Sequence, residues 1–464
     1  MSVTTKNFSI NKKHLMCWVI IFIIPLLLLL IPTTDLFTHQ QKMFTVITTW
    51  TILMFAFELV DNYIPCIIMP FLFIITGVAP WELAFAGWHQ SIPWQVHGIL
   101  LLVNALLRNG LLQRLAYFCL LKTSCTYRGI LWGMYFFGLV FNLFLPGGSC
   151  VAMATFAYGI CSTLGLKRSK TAAGITLAGA MGYLMPGFFI YVPTNFGLLA
   201  SVASSADPTI TMNFGQYLMH NAIFIPFGFI MIEVIARMFK PDQQLDSKEL
   251  FKEKRAALGR MSREEKISAV AVVIIFLYIV TANLHKQDMA YIFVLLPAVL
   301  AFPVFGVVKK EDIDSINFKF VVFLVTCMSI GFVAASTGIS DTIVSLVFPA
   351  MEQMGSYGVI VTTWLLAVLV NFALTPLAAM ASFGVPITDI ALSLNMQPYA
   401  ILYAFNNGLD QVLFPYEYAI YLIYFSFGML TMKDFVKFFS TKMVLAFIFL
   451  VVLVIPYWTL IGLL

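Results

Sequence analysis

"FNLFLPGGSCVAMATF", residues 141–156, decides the fold, because Pro146, Gly147 and Gly148 interrupt a run that is otherwise strongly apolar. Such an interruption either kinks a helix or turns the chain back and leaves backbone groups open to a ligand. A second stretch, "NFALTPLAAMASFGVP" at 371–386, repeats the arrangement with Pro376 in the place of Pro146. The surrounding chain has 464 residues, 61% of them hydrophobic and 11% charged. A soluble domain carries about a quarter charged residues. Apolar runs of about 20 residues, long enough to cross a bilayer, recur along nearly the whole sequence. They are continuous rather than alternating, which argues against a β-barrel. The fold class is therefore an all-α polytopic membrane protein.

Spans are expected near 15–31, 43–59, 64–79, 95–108, 171–192, 216–236, 268–283, 290–307, 319–336, 399–424 and 444–463. The first follows Lys12-Lys13 like a secretory signal, but no small-residue cleavage site follows it, so it reads as a retained helix. The interrupted segments, about 130–164 and 358–394, each read as a re-entrant hairpin that enters and leaves on one side. About eleven transmembrane helices plus two hairpins result. Basic residues gather on the cytoplasmic side of membrane proteins. With the N-terminus cytoplasmic and the C-terminus extracytoplasmic, in a plasma (inner) membrane, only Lys42 and Lys286 of the 27 Lys and Arg fall outside. A full crossing by either hairpin would invert the loops that follow and destroy this asymmetry. Glu58 and Asp61 then sit at the inner interface.

The chain divides into an N-terminal helix (1–41), a first repeat (42–240), a charged cytoplasmic connector (241–266) and a second repeat (267–464). Acidic and basic residues alternate through the connector, as in a helical, solvated linker. Each half contains a hairpin and, about 40 residues after the hairpin proline, a second interruption: "MPGFFIYVPTNFG" (185–197) and "LDQVLFPYEYAIY" (409–421). The broken helices are expected at about 171–200 and 399–424. The first hairpin opens inward and the second outward, so the halves are inverted repeats. Discontinuous helices in inverted repeats are a recurring design of secondary transporters.

Lipid leaves free backbone N–H and C=O groups unsatisfied, so irregular backbone at membrane depth lines a cavity or is buried in protein. Helix N-termini after Pro146 and Pro376 present N–H groups to an anion. Carbonyls of the unwound Pro193-Thr194-Asn195 and Pro415-Tyr416-Glu417 are candidates for a cation. Asn142 and Asn371 lead into the two tips. Asn406 and Asn407 precede Gly408 ahead of the second break and offer amide ligands. A carboxylate in the bilayer costs at least ~2.5 kcal/mol and usually serves transport. Glu417 is the leading candidate for coupling. Asp410 stands seven residues before it, two helical turns on one side of a helix. Asp389 lies in the return arm of the second hairpin. His97 and His220 are isolated, and the seven Cys are scattered without metal-type spacing, as packing residues.

With these motifs the chain resembles the divalent anion:sodium symporter family. "YVPTNFG" and "FPYEYAIYLIYFSFGMLTMKDFVKF" are similar to the segments where that family breaks its helices, the latter followed by a Gly-containing span and a short interfacial helix. The resemblance implies scaffold and transport domains, a homodimer, elevator-type alternating access, and symport of a dicarboxylate, citrate or sulfate with Na⁺. Family members carry Ser-Asn-Thr at both hairpin tips. Here Pro146-Gly147-Gly148 and Pro376-Leu377-Ala378 stand there instead, with Ser149 and Thr375 as the nearest hydroxyls. Glu417 stands where an Asn is usual. The implied substrate site comprises Asn142, Gly147, Gly148, Ser149, Thr194, Asn195, Thr375, Ala378, Asn406 and Asn407. Na⁺ would bind near Gly147, Asn195, Thr375 and Glu417, with H⁺ as the other candidate coupling ion.

The expectation is thus a secondary active transporter of a small organic or inorganic anion. An amino-containing acid carried by the same fold is the alternative, and a channel a further one. No HExxH, GxSxG or Walker motif occurs, which argues against an enzyme or a primary pump. No cofactor and no nucleic-acid partner is expected beyond a small solute, the coupling ion, lipid and a second copy of the chain.

Overall fold

The structure, a computed structural model, describes residues 12–34, 37–57, 59–241, 247–285, 287–339, 342, 350–351, 353–372 and 374–464. Lys6, Glu58 and Lys286 lie outside the described residues. Among the described residues the chain is helical throughout and has no strand. This follows from the solvent: a helix satisfies its own backbone groups without water. Among the described residues, four helices are long and apolar enough to cross a membrane, and two bent pairs bring that number to six.

Each of the expected spans coincides with a helix or a broken pair, from Lys12–Leu29 onward. The last helix differs in extent. It runs unbroken from Met432 to Leu460, with a wider turn at Leu450–Val454, so the expected interfacial helix and final span are one element. After Ser91–Arg108 the chain bends by 74° at Gly110, whose φ is +86°, into a helix that sequence reading did not separate, Leu111–Lys122. The connector is helical at Lys248–Ala257, but it is not merely solvated. Phe251 is fully buried and its ring lies 6.4 Å from that of Tyr117.

One end of the molecule is knitted by ions. Arg108 bonds Asp312 at 2.9 Å and Glu264 at 3.1 Å, Lys309 also bonds Glu264, and Arg114 bonds Glu265. Hydrogen bonding from the Lys309 ammonium, opposed by some desolvation, holds the Glu264 carboxyl below the usual range. Asp61 pairs with Lys319 and is likewise lowered, chiefly by that hydrogen bond. Lys42, expected at the other face, donates to the carbonyls of Leu29 and Ile31 at the far end of the first helix.

The two interrupted segments are helical hairpins. The first has arms Tyr127–Phe144 and Cys150–Thr163; the second has arms Gly355–Asn371 and Pro376–Ser393. In both, the first arm packs along the helix that follows the hairpin, Lys170–Leu184 or Pro398–Leu409. Glycine allows the approach each time. A Cβ on Gly138 would lie 2.1 Å from the carbonyl oxygen of Gly182, and one on Gly408 would lie 2.5 Å from that of Trp364. Beyond its break, each half reaches into the other. Leu198–Ala203 packs on the second hairpin, where Gly384 admits Val202, and Ala419–Ser426 packs on the first. There Tyr424 donates to the Gly179 carbonyl, and Tyr158 stacks on Phe427.

Candidate site at the hairpin tips and helix breaks

The first tip, residues 145–149, is held by short-range polar contacts. Asn142 is buried and donates from Nδ2 to the carbonyls of Gly138 and Tyr183 at 3.0 and 2.9 Å, while its Oδ1 faces the Gly147 N–H at 3.5 Å. The hydroxyl of Tyr183 donates to the Gly148 carbonyl. Gly147 has φ +72°, and a Cβ there would meet Thr194 Oγ1 at 2.6 Å and Val192 Cγ1 at 2.8 Å. The Pro-Gly-Gly sequence therefore lets the tip rest on the first-half break. Ser149 caps the returning arm, its Oγ accepting from the Ala152 N–H at 3.2 Å. It also lines a cavity of about 540 Å³ whose exposed end includes Gln113 and Val151.

At the first break the helix bends by 55°. Its irregular part is not Pro193-Thr194-Asn195, as the sequence suggests, but residues 189–192. Pro193–Gly197 form one wide helical turn, in which Asn195 and Gly197 both donate to the Val192 carbonyl. The proline at the start of that turn explains its place, since a first-turn residue needs no N–H partner. Asn195 points a buried Oδ1 that has no hydrogen-bond partner. The neighbouring Phe196 ring lies 4.8 Å from Tyr403, so this turn packs on the helix that carries Asn406.

The second tip is differently furnished. Thr375 precedes Pro376 at the N-terminus of the returning arm, yet its side chain makes no cap, and its Oγ1 is buried without a partner. Asn371 donates from Nδ2 to the Gln411 carbonyl at 3.4 Å, and its Oδ1 is also unpartnered. Thr375 lines a cavity of about 550 Å³ whose exposed end includes Asp61 and Lys319. Ala378 is fully buried, with its carbonyl bonded to Ser382. Asp389 is half-buried and stands in the same arm roughly 20 Å from Thr375, at 1.5 Å per residue. It is remote from the tip.

The second break lies between Pro398–Leu409 and Ala419–Ser426. Asp410 caps the first helix, so the seven-residue spacing to Glu417 is not two turns of a helix; the two acids flank an irregular loop. Glu417 is buried and accepts from the N–H groups of Leu413 and Phe414, both at 3.0 Å, which closes that loop. Asp410 accepts from Tyr421 at 2.9 Å and from Lys442 at 2.6 Å. Asn407 accepts from Trp364 Nε1 at 2.8 Å, leaving its Nδ2 unpartnered, and the Oδ1 of buried Asn406 is unpartnered too. His220 bonds the Tyr403 hydroxyl, a packing role.

Lys442 is the residue that sequence reading missed. In the sequence it counts among the inner basic residues, but its side chain is 0% exposed. The signal was its position: it stands five residues beyond Lys437, and no charge follows it to the end of the chain. The structure thus brings Gly147, Thr194 and Val192 together, and separately Asn371, Gln411, Asp410 and Lys442. Four unpartnered buried oxygens, of Asn195, Asn371, Thr375 and Asn406, lie at these places, where buried polar atoms are ordinarily satisfied.

Residues 12–464 match a family profile described as the sodium:sulfate symporter transmembrane region. The crystal structure of the Alcanivorax borkumensis YdaH transporter, described as revealing an unusual topology, is similar with a TM-score of 0.57. Identity is 13%, over 91% of this chain and 99% of that one, so the likeness is one of fold. No curated protein matches the chain in sequence.

Proposed function

We propose, on the basis that this chain belongs to the sodium:sulfate symporter family, that it is a secondary active transporter carrying a small divalent anion, sulfate or a dicarboxylate, together with Na⁺. The observation that carries this reading is the set of unpartnered buried oxygens at the hairpin tips and breaks. A buried polar atom without a partner is costly, and a transported ion or solute is the partner such a site awaits. Substrate contacts come from Ser149, Thr375 and Asn406 and from N–H groups at the two arm N-termini, which favour an anion. Asn195, next in the chain to the Thr194 that rests on Gly147, serves the cation. Glu417 and Asn142 shape the second break and the first tip.

Both tip hydroxyls adjoin cavities whose exposed ends carry inner-face residues, Gln113 for one and Asp61 with Lys319 for the other. With the N-terminus cytoplasmic, the C-terminus extracytoplasmic and the chain in the plasma membrane, as the distribution of basic residues favours, these openings correspond to an inward-facing state. Hairpins and broken helices moving together as an elevator, in a homodimer, complete the reading.

Proteoliposomes given an inward Na⁺ gradient should accumulate sulfate or succinate above equilibrium, and should lose that accumulation when the gradient is dissipated. Flux that only equilibrates would make the protein a channel. Accumulation driven by a proton gradient without Na⁺ would replace the coupling ion.

A further inference from the structure

Between described residues, only one ion pair has both side chains buried, and it sits on the second-half break. Lys442 reaches it from the helix Met432–Leu460. Its ammonium carries three hydrogens and no lone pair, and it faces three oxygens. These are the Asp410 carbonyl at 2.8 Å, Asp410 Oδ2 at 2.6 Å and Gln411 Oε1 at 3.2 Å. The Phe439 ring lies 5.9 Å away. Three acceptors match a charged ammonium; a neutral amine would present only two hydrogens to them. A backbone carbonyl, a carboxylate and an amide oxygen are also the ligands a small monovalent metal ion takes. Gln411 ties this cage to the hairpin, because its own carbonyl accepts from Asn371 at the second tip.

The first half has no such cation. Between residues 171 and 236 there is no lysine or arginine. At the matching break stands a neutral amide, Asn195, with its Oδ1 buried and unpartnered. The second break therefore holds a cation that cannot leave, beside the open oxygens of Asn371, Thr375 and Asn406, whereas the first holds the open oxygen of Asn195 and no cation.

We propose that the Lys442 ammonium is a tethered cation standing where a transported one would bind at the second break, so that each protomer takes up a single free Na⁺, at the first break beside Asn195. The inference rests on the Na⁺-coupled reading above, and it adds a count of ions and a place for each. Lys442 is then a positioning residue: it supplies fixed charge to the second tip through Asp410 and Gln411, and it is not itself carried.

Equilibrium binding of radioactive Na⁺ to the purified full-length protein in detergent tests this without requiring transport. The wild type should bind one Na⁺ per protomer; two, or none, overturns the proposal. Lys442→Ala empties the cage while leaving its oxygens, and should bind two. Its melting temperature should be restored toward wild type by Na⁺ but not by choline at equal ionic strength. A folded Lys442→Ala that still binds one Na⁺ and shows no such recovery also overturns it. If that variant does not fold, the wild-type count decides alone. Failure of the transport reading is seen separately, as absence of accumulation in proteoliposomes.

Discussion

In the first half, the broken helix sets Val192 and Thr194 against a glycine tip, and the acceptor left open at that break, Asn195 Oδ1, is neutral. In the second half, the corresponding loop is filled by its own charges: Glu417 closes it through two backbone N–H groups, and Asp410 is locked between Tyr421 and Lys442. Two hairpins with the same order of elements thus end on opposite chemistry. Both halves keep buried oxygens without a partner, Asn195 in the first and Asn371, Thr375 and Asn406 in the second, but only the second break also holds a buried cation. The difference teaches that a repeat can preserve its backbone interruption while exchanging an external ligand for a side chain.

The comparison can be broken most forcefully at Lys442. Lys442→Met leaves the Asp410 carboxylate buried without its partner, an effect of about 3–5 kcal/mol. Adding Asp410→Asn should recover much of that loss, measured as melting temperature in a double-mutant cycle; no recovery would mean that the pair does not act as a unit. The first tip comes next. Gly147→Ala forces a side chain into φ +72° and onto Thr194, a strain of roughly 1–3 kcal/mol. Uptake should fall further than stability, because tip and break together bound the proposed cation site; equal loss in a Thr194→Ala background would exclude the contact as the cause.

Glu417→Gln removes one of two acceptors from the second loop and should destabilise by about 1–3 kcal/mol. The pH dependence of uptake should stay as in the wild type; a flattened profile would return Glu417 to ion coupling. Asn195→Ala should change stability least, by less than about 1 kcal/mol, since its Oδ1 gives up no hydrogen bond. Yet it should raise the Na⁺ concentration for half-maximal uptake by about tenfold, equivalent to about 1.4 kcal/mol. An unchanged Na⁺ dependence would remove Asn195 from the cation site.

The hairpins and breaks are legible in the sequence because Pro146, Pro376, Pro193 and Pro415 interrupt apolar runs, and interruption at membrane depth demands a structural reason. Their fine geometry is not. Whether Pro193 begins an unwound stretch or a wide turn depends on which carbonyls neighbouring helices satisfy. The separation of Asp410 from Glu417 by a loop depends on where Leu409 stops packing. Lys442 was hidden for a different reason. A lysine at the head of an apolar run ordinarily extends its charge to the interface, and only the tertiary position of Asp410 draws it inward. Leu111–Lys122 escaped because, at 12 residues, it is too short to read as a span, although it buries Leu112, Ala116, Cys119 and Leu120 against the first hairpin. The comparison with Ser-Asn-Thr tips led to the two hairpin tips, whose side chains differ from that pattern.

The crosswise packing beyond the breaks carries one further consequence. Leu198–Ala203 belongs in sequence to the first half and in space to the second hairpin, and Ala419–Ser426 does the reverse. The boundary drawn by the connector is therefore one of chain order, not of packing. A chain severed between residues 241 and 247 would yield two fragments that are each incomplete, yet together they would still close around one another like clasped hands.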